Sequence, residues 1–176
     1  GVQTCALPIS NLGPIGENIS ATYGSSGSEY FTSECVIVEA HSRVNCTSIV
    51  GIGANHSWIV TLGHQESPAT LPQTSYNVPR VTRLSETDVF QTPGEDRVCI
   101  HGTDFGPLND TVNPVEATYG GLMGRKYTAA QCSVEVAHTK ICCRSVVGIG
   151  FGHRLTVVVA AQRSPKSIVV VRYANP

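Results

Sequence analysis

The same pattern is spelled twice in this 176-residue chain, and each spelling holds two cysteines eleven residues apart. Cys35-Val-Ile-Val-Glu-Ala-His41-Ser-Arg-Val-Asn-Cys46 falls on Cys132-Ser-Val-Glu-Val-Ala-His138-Thr-Lys-Ile-Cys-Cys143 at an offset of 97. The register runs on through Val50-Gly51-Ile52-Gly53 and Val147-Gly148-Ile149-Gly150, then His56 and His153, Gln65 and Gln162, Ser67 and Ser164, Tyr76 and Tyr173. Upstream, Ala21-Thr22-Tyr23-Gly24 meets Ala117-Thr118-Tyr119-Gly120 at an offset of 96, so small insertions alone separate the copies. A self-similarity of this length predicts tandem domains of common size, each large enough for its own core.

The two halves differ in charge. Residues 1–78 carry one base, Arg43, against five glutamates, a net −4, whereas residues 79–176 carry eleven bases against eight acids, a net +3. Neither half is basic enough, or interleaved with enough aromatics, to read as a nucleic-acid surface. No apolar run approaches the ~20 residues of a membrane span. The opening Gly-Val-Gln-Thr-Cys-Ala-Leu-Pro-Ile breaks the repeat register and matches the translation of a common sequencing adapter. Residues 1–9 are therefore expected to be a read artefact, which removes Cys5 and leaves six cysteines.

Two-residue alternation recurs, and no stretch sustains the 3.6-residue period of a helix. Ile19-Ala21-Tyr23, Val115-Ala117-Tyr119, Trp58-Val60-Leu62 and Leu155-Val157-Val159 alternate with polar neighbours. Short strands between clusters of Gly, Pro, Ser and Asn point to antiparallel sandwiches. With Ala137-His138 as a two-residue loop, Cys132 faces Cys143, Val134 faces Ile141 and Glu135 faces Lys140. The first copy repeats this with Ala40-His41 as the loop: Cys35 faces Cys46, Ile37 faces Val44, and Asn45 points outward. Ala-His is a weak two-residue turn, so a longer loop that keeps the pairing is the alternative.

These residues resemble the IPT/TIG family of immunoglobulin-like domains. The second copy carries the pattern nearly throughout: Pro79-Arg-Val-Thr-Arg-Leu as the first strand, Arg97-Val-Cys-Ile-His-Gly102-Thr-Asp-Phe-Gly-Pro107 as the Ile-x-Gly-x-x-Phe-Gly signature, the cysteine hairpin, and Ile168 to Tyr173 as the last strand. The Cys…His-Thr-x-Ile-x-Cys hairpin and the Gly-x-Gly-x-x-His turn resemble the extracellular, fibrocystin-like branch. The resemblance implies an all-β fold of tandem IPT/TIG sandwiches, with domain 1 over residues 10–78 and domain 2 over residues 79–176. The first copy starts at Asn11-Leu12-Gly13-Pro14, the counterpart of Asp104-Phe105-Gly106-Pro107, so its opening strands are expected upstream or from a partner that donates a strand. Pro176 matches Pro79, which implies a longer array.

Cys35–Cys46 and Cys132–Cys143 are the expected disulfides; buried thiols or a zinc site are the competing readings, although no Cys-x-x-Cys occurs. Cys99 and Cys142 lie on strands that neighbour one another in an immunoglobulin-like sheet, which makes them a candidate third bridge, with free or intermolecular thiols as the alternative. Four sequons, at Asn18, Asn45, Asn55 and Asn109, imply an extracellular protein bearing N-linked glycans. The repeated His41/His138 and His56/His153 read as turn residues, Trp58 reads as core because its counterpart is Leu155, and the Gly-Ile-Gly turns precede strands, where no helix dipole would hold phosphate. No carboxylate pair, nucleophile elbow or metal cluster stands out, so no enzyme and no cofactor is expected. The expected function is structural: units joined head to tail, with copies of itself or adjacent repeats as partners, into a surface fibre or filament. A ligand-binding or adhesion module of a receptor ectodomain is the alternative, and it predicts an exposed loop patch without glycan.

Overall fold

A computed structural model describes residues 4–8, 10–71, 74–108, 114–121 and 125–175, with side chains from Ser10 onward. The chain divides into two compact units, Gly1–Tyr76 and Asn77–Pro176. The described residues form strands and turns and no helix.

Unit 1 has strands β1 (Thr4–Pro8), β2 (Ile19–Gly24), β3 (Tyr30–Phe31), β4 (Glu34–Glu39), β5 (Arg43–Thr47), β6 (Ser57–Leu62) and β7 (Gln65–Glu66). They make two sheets, β1-β5-β4 and β3-β2-β6-β7. Between the sheets lie Ile37, Val44 and Cys46 from one and Ile19, Ala21, Tyr23, Trp58 and Val60 from the other, with Leu12. Period-two alternation aims alternate side chains inward, and burying them is the main stabilising term of such a sandwich. Trp58 is therefore a core residue, stacked on Tyr23 with ring centroids 4.4 Å apart.

Unit 2 repeats the plan with β8 (Arg80–Ser85), β9 (Val89–Phe90), β10 (Arg97–Thr103), β11 (Glu116–Tyr119), β12 (Tyr127–Thr128), β13 (Ala130–Val136), β14 (Lys140–Arg144), β15 (His153–Val159), β16 (Gln162–Arg163) and β17 (Val170–Tyr173). One sheet runs β13-β14-β10-β8. The other runs β12-β11-β15-β17-β9, with β16 paired to β15. All pairs are antiparallel except β9 with β17, a parallel pair that no alternation in the sequence announced.

Both hairpins keep the expected cysteine pairing but not the two-residue loop. Each turns through three residues, Ala40-His41-Ser42 and Ala137-His138-Thr139, with the histidine left-handed at φ 61° in both. The extra residue shifts the register beyond the apolar pairs, so Glu39 lies opposite Arg43 and Val136, rather than Glu135, lies opposite Lys140. The left-handed histidine is the middle residue of each loop, and the register irregularity lies on the incoming strand, between Ile37 and Glu39 and between Val134 and Val136. Each histidine amide then docks the turn on the Gly-Pro loop, donating to the Gly13 carbonyl at 2.9 Å and to the Gly106 carbonyl at 2.7 Å.

The stretch Thr4–Pro8, which breaks the sequence repeat, lies beside β5 with Cys5 opposite Cys46 and Ala6 opposite Asn45. In unit 2 the same place is filled by β10, with Val98 opposite Cys143 and Cys99 opposite Cys142. No described strand of unit 1 covers the other edge of β1, whereas β8 covers that edge of β10.

Candidate functional site

Three disulfides are present: Cys35–Cys46, Cys99–Cys142 and Cys132–Cys143. Cys99 and Cys142 lie directly opposite each other on β10 and β14, on the side of the sheet away from the core. Although that side faces away from the core, both are buried. Their cover is a set of ion pairs: the Arg97 guanidinium bridges Glu86 at 3.0 Å and Glu135, and Lys140 reaches Glu135 at 3.3 Å. Exposed pairs of this kind contribute little stability singly. The Glu135 carboxylate lies near both sulfurs, but a disulfide offers no thiolate to a metal, so this cluster is a covered bridge. Unit 1 has no such third bridge because Ala6 and Asn45 stand at the two positions.

The sequons take different settings. Asn18 and Asn55 are exposed, and Asn55 has φ 60°, a left-handed conformation that asparagine tolerates. Asn45 faces away from the core but is only half exposed, on the middle strand of its sheet. Asn109 lies outside the described residues.

The most elaborate local structure is one that sequence reasoning passed over. In each unit, three tyrosines hold the loop that leads from the cysteine hairpin to the next strand. In unit 2 the Val146 amide donates to the Tyr119 hydroxyl at 3.1 Å, Tyr119 and Tyr173 share a hydroxyl–hydroxyl bond of 2.9 Å, and Tyr173 donates to the Val146 carbonyl at 2.6 Å. Three residues on, Tyr127 donates to the Ile149 carbonyl at 3.1 Å, and His153 Nε2 lies 3.1 Å from the same oxygen. The Tyr173 amide donates to the Gly150 carbonyl at 2.8 Å. Unit 1 reproduces the scaffold: Ile49 is held between Tyr23 and Tyr76 at 3.0 and 2.5 Å, and Tyr30 donates to the Ile52 carbonyl at 3.2 Å. Burial, followed by the neighbouring hydroxyls of Tyr119 and Tyr23, pushes the pKa of Tyr173 and Tyr76 far above the ordinary phenol value, so both remain donors.

The scaffold explains the repeated Gly-x-Gly. A Cβ on Gly51 or Gly148 would run into the Tyr76 or Tyr173 ring, so only glycine lets the loop lie on the tyrosine. The repeat of Tyr30 and Tyr127 at the same offset of 97 was the signal in the sequence.

On one scaffold the two loops present different surfaces. In unit 2, Val147, Ile149 and Phe151 are all exposed, Ile149 at 67% and Phe151 at 86%. In unit 1 the counterpart of Ile149, Ile52, is 5% exposed, and Ala54 stands where Phe151 does. Next to these positions unit 1 has the sequon residue Asn55 where unit 2 has Gly152. One loop is an apolar platform, and the other adjoins a site for a glycan.

The histidines sit beneath these loops. His153 is bonded as described, whereas both ring nitrogens of His56, at 4% exposure, lack hydrogen-bond partners. His56 is ringed by Tyr23, Tyr30 and Tyr76 at centroid distances of 5.9, 5.8 and 5.5 Å. It also lines a cavity of about 20 Å³ with Ser48, Trp58 and Thr74, room for about one water molecule.

The architecture is similar to that of the surface glycan-binding protein PbSGBP-B from Prevotella bryantii, at a TM-score of 0.59 and 14% identity over 93% of this chain. The chain is an all-β protein of immunoglobulin-like sandwiches. It spans 35% of the length of that protein, and at this identity the likeness extends to the fold alone. Weaker overlaps are found with SGBP-B from a complex xyloglucan utilization locus in Bacteroides uniformis, at a TM-score of 0.41, 11% identity and 98% and 48% of the two chains, and with the plexin A4 extracellular region, at 0.42, 12% and 98% and 26%. No family model matches the chain, and no curated protein matches it in sequence.

Proposed function

We propose that this chain is an extracellular binding or adhesion module built of tandem immunoglobulin-like units, with the Val147–Phe151 loop of unit 2 as its contact surface. The observation that carries this reading is the exposed apolar triplet on a backbone fixed by three tyrosines and a histidine. Apolar side chains on a backbone held in one conformation give a partner contact area without the entropic cost of ordering a loop. Three disulfides in so short a chain fit folding in an oxidising compartment, and exposed sequons fit the secretory route. Among the described residues no helix is long and apolar enough to cross a membrane. The IPT/TIG assignment rests on the signature around Gly102 and Phe105 and on the two cysteine hairpins, and it belongs to this proposal.

The reading is tested by coating beads with the secreted chain and scoring adhesion to cell monolayers. An I149S/F151S variant is expected to lose adhesion by about tenfold or more while its unfolding curve stays unchanged, since neither side chain is in the core. Equal adhesion by the two proteins would remove the loop from the account. End-to-end assembly into a fibre draws support from the repeat and the opposed −4 and +3 charges. It predicts association in sedimentation at low salt that weakens as salt is raised.

A further inference from the structure

We propose, resting on the extracellular reading, that Asn45 is a conditional glycosylation site: it accepts a glycan only before the Cys35–Cys46 bridge closes, so closure of that bridge sets its occupancy. In the sequon Asn45-Cys46-Thr47 the middle residue is itself a bridged cysteine. All three residues belong to β5, with Asn45 opposite Val36, Cys46 opposite its bridge partner Cys35, and Thr47 opposite Glu34. The Thr47 carbonyl also accepts from the Ser33 amide at 3.0 Å. A transferase has to enclose the acceptor amide and the hydroxyl two residues on, and a stretch paired to its neighbour along its whole length cannot be enclosed. Asn18 and Asn55 differ, since both are exposed and lie outside the strands. In the folded unit Asn45 points away from the core and is half exposed beside exposed Val36, which leaves room for a glycan added earlier. In unit 2 that place belongs to Cys142, bridged to Cys99.

Timing favours the bridge. Cys35 precedes Asn45 in the chain and Cys46 follows it directly, so both thiols are at hand almost as soon as the acceptor is. They are 11 residues apart, and closing so short a loop is fast compared with pairing β2 with β6 from either side of it. The two reactions use neighbouring groups. Oxidation joins the two sulfurs and passes two electrons and two protons to a protein disulfide, which leaves as a dithiol. Glycosylation joins Nδ2 of Asn45 to C1 of an oligosaccharide carried on a lipid diphosphate; the C1–O bond to the diphosphate breaks and the amide gives up one proton.

The test translates the full chain, behind a cleaved secretion signal, into microsomes and reads the occupancy of each sequon by glycopeptide mass spectrometry. In the parent chain Asn45 is expected to be occupied less than Asn18. C35S keeps the sequon and removes the bridge, and it is expected to raise Asn45 occupancy by about twofold or more, as is a dithiol added during translation. W58A weakens the core of unit 1 and keeps both cysteines, so it is expected to leave Asn45 at the parent level. Full occupancy of Asn45 in the parent, no rise in C35S, or an equal rise in W58A overturns the proposal and leaves the extracellular reading untouched. A chain without glycan at any sequon overturns both.

Discussion

His56 is a buried imidazole whose ring nitrogens make no well-formed hydrogen bond, enclosed by aromatic rings, and its environment sets its response to acid. Burial lowers its pKa below the usual 6.5, against the weaker pull of the Gly53 and Ile52 carbonyls and the Glu29 carboxylate. The unfolded chain therefore binds this proton at a higher pH than the folded chain does. The stability that His56 contributes is intact above about pH 6.5 and is lost as pH falls from there through the lowered folded value. Trp58, the one tryptophan in the chain, stacks on Tyr23 beside it and reports unit 1 directly. Denaturant midpoints followed by Trp58 fluorescence are expected to fall between about pH 7.5 and 5.5 in the parent chain, and to fall less in H56Q. The tyrosine scaffold makes a second prediction: Y119F leaves the Val146 amide without its acceptor and costs unit 2 about 1–2 kcal/mol in urea unfolding. At this scale the sequence displayed the repeated tyrosines but not their task. Their partners are backbone groups 22, 26 or 27 residues away, a relation that only the tertiary fold creates.

Elements were more legible than residues. The alternation around Trp58 and Leu155 located β6 and β15, and the cysteine spacing located both hairpins, because a strand with one buried face must alternate. The loop length stood between two residues and a longer alternative, and the longer one is present: Ala-His forms only the first two of three loop residues, and the left-handed histidine is a conformational choice that composition does not mark. The short parallel pairing of β9 with β17 was invisible, since two residues are too few to show a period. Loop length also ranks the bridges. Cys99–Cys142 closes 43 residues and Cys132–Cys143 closes 11. On the chain-entropy relation, removing the first by paired serine substitution should cost unit 2 about 4 kcal/mol and removing the second about 3 kcal/mol, read as shifts in urea midpoint. As for the first strand, we propose that the natural protein carries another sequence in place of residues 1–9. A tryptic map of protein from its source that returns the stretch from Thr4 to Leu12 would contradict this.

At the scale of the whole molecule, one sandwich plan occurs twice and its two copies diverge where they meet solvent. The cores are nearly interchangeable, as Tyr23 and Tyr119, Val60 and Val157, and Val44 and Ile141 show. Divergence is concentrated in charge, in the third bridge and in the tyrosine-held loop, where unit 1 has buried Ile52 and the sequon at Asn55 while unit 2 has exposed Ile149 and Phe151. A function placed in the loops is what such a pattern supports, because cores conserve packing and loops carry binding. Internal repetition made the two units legible from the start. The difference between their loops was hidden, because Ile52 and Ile149 are the same residue in the same motif and only the fold turns one inward. The most direct test is a peptide map, by mass spectrometry without reduction, of the chain secreted from eukaryotic cells. The account predicts Cys35–Cys46, Cys99–Cys142 and Cys132–Cys143 within single molecules, a glycan on Asn55 and an unmodified Val147–Phe151 peptide. Free thiols at Cys99 and Cys142 together with an unglycosylated Asn55 would contradict it.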